Sequence, residues 1–158
     1  MTTINNDAEF RSAIAALDAG QQRVIGARLV ENVLDFNDDE RVKRALNTAI
    51  QNSASREELD AAAGIAKRAS LDSHTRCGAE GDWQAQAAYF VAKAAASLLA
   101  PKSGSKDAVW QAAVSCRMAR TSEQIAQGQD TGDQEAAAQY RLLETYLNEQ
   151  NPNAGDKS

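Results

Sequence analysis

Residues 83–100 read WQAQAAYFVAKAAASLLA, and this stretch decides the fold class. Trp83, Ala87, Phe90, Ala94 and Leu98 follow one another at spacings of three and four, with Val91, Ala95 and Leu99 alongside. That is the period of a helix with one broad buried face, and the alternation of a half-buried strand is absent. Gln84, Gln86 and Lys93 interrupt the run, and much of the remainder is alanine. A membrane span wants about 20 strongly apolar residues, so the stretch reads as a core helix instead. Pro101 ends it.

The same period extends outward in both directions. Upstream, Asn6 and Glu9 form a capping box for a helix over 7–17 carrying Phe10, Ile14 and Leu17, and Ala19-Gly20 breaks it. A helix over 21–36 follows, with Ile25, Leu29, Val33 and Phe36 as its stripe and Val30 and Leu34 widening it toward a second neighbour. Its third face carries Arg28, Glu31 and Asp35, spaced for pairing. Asn37 is the expected cap of the next helix, which buries Val42, Ala45, Leu46, Ala49 and Ile50. Ser55 and Glu58 make a second capping box, opening a helix through Ala62, Ala66 and Ala69 to Leu71 with Gly64 as a weak point. Downstream, Ser105 or Asp107 caps a helix through Val109, Ala112, Cys116 and Ala119, and 128–132 is a turn. A last helix carries Ala136, Tyr140, Leu143 and Leu147. The expected core is Ile25, Leu29, Val33, Leu46, Trp83, Phe90, Leu98, Val109, Tyr140 and Leu143.

Composition supports this count. Of 158 residues, 32 are alanine, the best helix former, while only 2 are proline and 5% are aromatic. The expectation is an all-α fold: six to seven helices in an alanine-rich antiparallel bundle or a short solenoid of helical pairs. The length suits one domain over 1–150, with a polar tail at 151–158.

The net charge is −5, from 17 basic and 22 acidic residues. Dividing the chain after Gly78 leaves both parts acidic, so no basic surface for nucleic acid is expected, and no membrane association. An acidic chain meets basic partners faster. Two cysteines, Cys77 and Cys116, form neither a CxxC pair nor a disulfide framework, and the first ten residues lack a secretory pattern. A cytoplasmic location follows.

No phosphate-cradling glycine loop, HExxH or nucleophile elbow is present. Residues 72–82, DSHTRCGAEGD, read as the longest polar loop and hold the one histidine. His74 and Cys77 supply two of the four ligands a structural zinc needs, so no metal, cofactor or catalytic residue is assigned. Cys116, among alanines, reads as a small buried hydrophobe, and Trp83 and Trp110 as packing anchors. The candidate partner-binding surface joins this loop, through Asp72, His74, Arg76, Glu80 and Asp82, to the acids of the earlier turn, Asp35, Asp38, Asp39 and Glu40.

RLVENVL at 28–34 and NDDERVKRAL at 37–46, with alanine-rich helices at 61–69, 87–96 and 111–119, resemble a small all-helical bacterial family of immunity proteins. The resemblance covers roughly 20–120. It implies a cytosolic protein that neutralises a toxin domain by occluding it, and it carries no catalytic residues. A protein partner, a basic toxin domain, is therefore the leading expectation. The competing one is a structural or adaptor domain acting as a homodimer or larger homo-oligomer. An enzyme or small-ligand protein using the 72–82 loop ranks last.

Overall fold

The computed structural model describes residues 2–77, 82–100 and 107–150. They form seven α-helices and no strand: α1 (Asp7–Ala15), α2 (Ala19–Glu31), α3 (Glu40–Ala49), α4 (Arg56–Cys77), α5 (Trp83–Leu99), α6 (Ala108–Ala126) and α7 (Gln134–Gln150). One 3₁₀ turn, Leu34–Phe36, links α2 to α3. The expected tail, 151–158, lies outside the described residues.

The consecutive pairs α3–α4, α4–α5 and α5–α6 pack together, and α2 lies against α3, α5, α6 and α7. It is a helix bundle in which α2 and α5 each pack against four other helices. Alanine makes the close approach: Ala87, Ala92, Ala94 and Ala95 of α5 and Ala112, Ala113 and Ala119 of α6 are all fully buried. Small side chains bring helix axes together and lose no rotamer entropy. At the tightest place Gly26 of α2 lies under Leu98, and any Cβ there would collide with the leucine methyls.

Seven of the ten expected core residues are buried: Ile25, Leu29, Val33, Leu46, Leu98, Val109 and Leu143. Phe90 and Tyr140 are half-buried against the core. Trp83, the first residue of α5, is 38% exposed.

The helix expected to reach Phe36 ends at Glu31, and its last expected residues form the separate 3₁₀ turn. Three further boundaries differ from expectation, each through a polar residue. Ala19-Gly20 opens α2 instead of merely ending α1, because Asp18 and Gln21 form a reciprocal capping box. Asp39, not Asn37, caps α3, accepting from the Arg41 amide at 2.9 Å. Asn37 is buried beneath the turn, where its Oδ1 accepts from the Asp39 amide at 2.7 Å and its Nδ2 donates to the Ala88 carbonyl at 2.7 Å. Finally, the expected loop over 72–82 is half helix, for α4 runs on to Cys77. Its stripe is Ala62, Ala66, Ala69 and Ser73, all buried at spacings of four, three and four. Serine fills the position that an apolar residue would have announced.

The last helix is held differently from the others. Its buried face includes Glu135 and Gln139 beside Ala136, Leu143 and Tyr146. Glu135 accepts from Arg120 of α6 at 2.9 Å and from Asn32 at 2.8 Å. Gln139 accepts from Arg117 at 2.8 Å and donates to the Ala113 carbonyl at 2.9 Å. Arg117 also bonds both carboxylate oxygens of Asp7, to which the Tyr140 hydroxyl donates at 2.7 Å. Beside this seam the Phe10 ring packs at a tilt against those of Trp110 and Tyr140, and Arg11 and Arg117 both lie over the Trp110 ring. Ile4, buried ahead of α1, donates its amide to Glu144 of α7 at 2.7 Å.

Candidate functional site

One cleft collects much of the acidity predicted to matter. It has a volume of about 690 Å³ and is walled by the 3₁₀ turn, the start of α3, Ser73 of α4, the start of α5 and Glu123 of α6. Among the described residues Asp35, Asp38, Asp39, Asp82 and Glu123 line it, together with Arg41 as the lining cation.

Local folding puts these groups here. The chain ends α2 at Glu31, turns through Leu34–Phe36, and stands on the buried amide of Asn37, which ties it to α5 at Ala88. That bond carries Asp35, Asp38 and Asp39 to the N-terminal end of α5. Two of the carboxylates have structural work: Asp39 caps α3, and Asp82 caps α5, accepting from the Ala85 amide at 3.0 Å. Asp39 also grips Arg41, with Nε 3.1 Å from both carboxylate oxygens and one terminal nitrogen 2.8 Å from Oδ2. The other terminal nitrogen reaches Asp72 of α4 at 2.8 Å. The two carboxylates raise the Arg41 pKa further, Asp39 contributing most, so its charge is permanent. Asp35 and Asp38 are exposed and take no part in these bonds.

The nine sequence-predicted residues therefore divide. Asp35, Asp38, Asp39 and Asp82 meet in the cleft, and Asp72 joins its edge through Arg41. Glu40 stands outside the lining, exposed and 3.6 Å from Lys43. His74 also lies outside it: exposed on α4, its ring is 5.2 Å from that of Tyr89. Glu80 lies outside the described residues, as does the side chain of Arg76. Sequence reasoning missed Phe36, Asn37, Arg41, Ser73, Gln84 and Glu123.

Among the described residues of the lining, Ser73 supplies the hydroxyl, and no base is hydrogen-bonded to it. Cys116 is buried elsewhere at the α2–α6 contact, its Sγ 3.6 Å from the Leu29 carbonyl, and burial pushes its thiol far above the ordinary range. Among the described residues no group of three or more His, Cys, Asp or Glu is placed to hold a metal ion, and no helix is long and apolar enough to cross a membrane.

Comparison with family models, curated proteins and solved structures finds no match for this chain.

Proposed function

We propose that the chain is a protein-binding module whose acidic cleft receives a basic partner. The observation that carries this reading is the convergence, among the described residues, of five carboxylates on one concave surface that Arg41 also lines. A wall of one sign focuses field into the cleft and accelerates encounter with the opposite charge. The chain's net charge of −5 acts in the same direction. In its finer form, taken from the resemblance to immunity proteins, the partner is a basic bacterial toxin domain that the module occludes in the cytoplasm. Affinity capture from the native host with the intact chain as bait tests it. Asp38→Lys bait should associate with a basic partner more slowly and with a flatter salt dependence. A partner that binds both baits at one rate over the whole salt range refutes it.

A second reading rests on α6. Val114, Met118 and Ile125 are exposed on this helix at 38%, 46% and 36%, spaced to share one stripe. Self-association through that stripe would make the protein a homodimeric structural domain. Sedimentation of the wild type against Met118→Lys separates the two readings.

A further inference from the structure

The helices of this bundle are joined in two different ways. Between α5 and α6 the contact is built on alanine, and among the described residues no side-chain hydrogen bond crosses it. The last helix, α7, lies instead in a groove between α2 and α6 and is held there by charge and hydrogen bonds. The groove offers Arg28, Asn32, Arg117 and Arg120. The helix answers with Glu149 at 2.9 Å, Glu135 at 2.8 and 2.9 Å, and Gln139 at 2.8 Å. The guanidinium of Arg28 also lies 5.1 Å from the centre of the Tyr146 ring. Arginine and tyrosine are the residues in which surfaces between molecules are enriched, and such surfaces are more polar than a domain core. Directional pairs of this kind are remade only by a helix with the same side chains at the same spacing.

The connection that folds α7 back onto its groove touches little. Residues 127–134 are all exposed. Its corner is Gly128, whose φ of 67° is the one positive φ among the described residues. The amides of Gly128 and Gln129 close the end of α6 on the carbonyls of Ile125 and Gln124, at 3.0 and 2.8 Å. A helical or extended connection would need no left-handed residue. Beside this corner the seam is unfinished. Gln124 is 3% exposed and its Nε2 donates to Gln134 at 3.3 Å, but its Oε1 is buried without a partner. An orphaned acceptor weighs on the folded-back form, and water reaches it once the first turn of α7 lifts away.

We propose that two copies of the chain associate by exchanging α7. Each copy lays residues 134–150 into the α2–α6 groove of the other, and the connection over 127–133 opens at Gly128 as the hinge. The arginine pairs, and the bonds from Ile4 to Glu144 and from Tyr140 to Asp7, are then remade between copies, while the turn at Gly128 is given up. The partner that fits this groove is therefore a second copy of the chain. The inference rests on neither the acidic cleft nor the exposed stripe of α6.

Equal amounts of ¹³C-labelled and unlabelled full chain are unfolded together in urea, refolded at millimolar concentration and separated by size. The dimer should show, in an isotope-filtered spectrum, proximity of Phe10 in one copy to Tyr140 in the other, rings whose centres lie 5.8 Å apart in the fold. The monomer should not. Gly128→Val strains the folded-back turn in both copies and should raise the dimerisation constant about a hundredfold, roughly tenfold for each hinge relieved. Deletion of Thr131 and Gly132, which shortens the connection, should favour the dimer in the same direction should the valine variant fold poorly. Met118→Lys, which spoils the α6 stripe, should leave the dimer fraction unchanged. A dimer without the Phe10–Tyr140 contact between copies overturns the proposal. So does a dimer lost in Met118→Lys, or a chain that stays monomeric in wild type and in the hinge variant that folds.

Discussion

Asp38 and Asp39 are neighbours with the same side chain and different employment. Asp39 caps α3 and holds Arg41, whereas Asp38 stands exposed at the cleft mouth. Asp39→Ala should therefore cost about 0.5–2 kcal/mol in urea denaturation, the usual loss for an N-cap. Asp38→Ala should stay within about 0.5 kcal/mol of wild type, as exposed substitutions do. Equal losses at the two sites would mean that the capping geometry is wrong. The core makes a parallel contrast. Leu143 is fully buried and Leu143→Ala should cost about 2–5 kcal/mol, while the half-buried Phe90 should lose less than the roughly 3–5 kcal/mol of a fully buried ring.

At the scale of the element, two helical glycines should respond to alanine with opposite signs. Gly64 of α4 has nothing within 4 Å of an added Cβ, so Gly64→Ala should gain about 0.5–1 kcal/mol through helix propensity. Gly26→Ala gains the same propensity but drives a methyl into Leu98, and overpacking of this kind costs about 1–3 kcal/mol. A thermal melt below wild type for Gly26→Ala and above it for Gly64→Ala is the expected pair. Nothing in the sequence distinguishes these two glycines, since the close approach belongs to a partner 72 residues away. The helices themselves were legible because their apolar period is written locally: α5 runs Trp83–Leu99, one residue short of the stretch that announced it. The boundaries were not legible where a polar residue did an apolar or structural task, as at Ser73, Asn37 and Asp18. The cleft was half legible for the same reason. Clustered acids are visible along the chain, but Glu123 and Ser73 arrive from distant helices and carry no local mark of their destination.

At the scale of the whole molecule, two carboxyls that tie the first helix and its lead-in to later helices bear on acid sensitivity. Bonding to Arg117, with help from Tyr140, holds the Asp7 carboxyl below its ordinary range, and the Ile4 amide with Arg141 does so for Glu144. A carboxyl depressed in the folded state binds fewer protons there than when unfolded. The stability it adds is complete above the ordinary carboxylate range and drains away as pH falls through the depressed value. Denaturation midpoints should thus be level near neutrality and decline below about pH 4, with a shallower decline in Asp7→Asn. An unchanged acid slope in that variant would show that Asp7 is not coupled to folding.

The bond from Ile4 to Glu144 spans a separation of 140 residues, and those from Asp7 to Arg117 and Tyr140 span 110 and 133. The first helix in the chain is thus fastened by partners that come last. Closing loops of that length exacts entropy before any contact returns it, so local pairs such as α5 with α6 should form first, with the bonds from α1 to α6 and α7 made afterwards. Interactions made after the barrier govern how fast a protein comes apart rather than how fast it forms. The seam between α1 and α7 acts in this sense as a latch on lifetime: its loss should raise the unfolding rate and leave the refolding rate untouched.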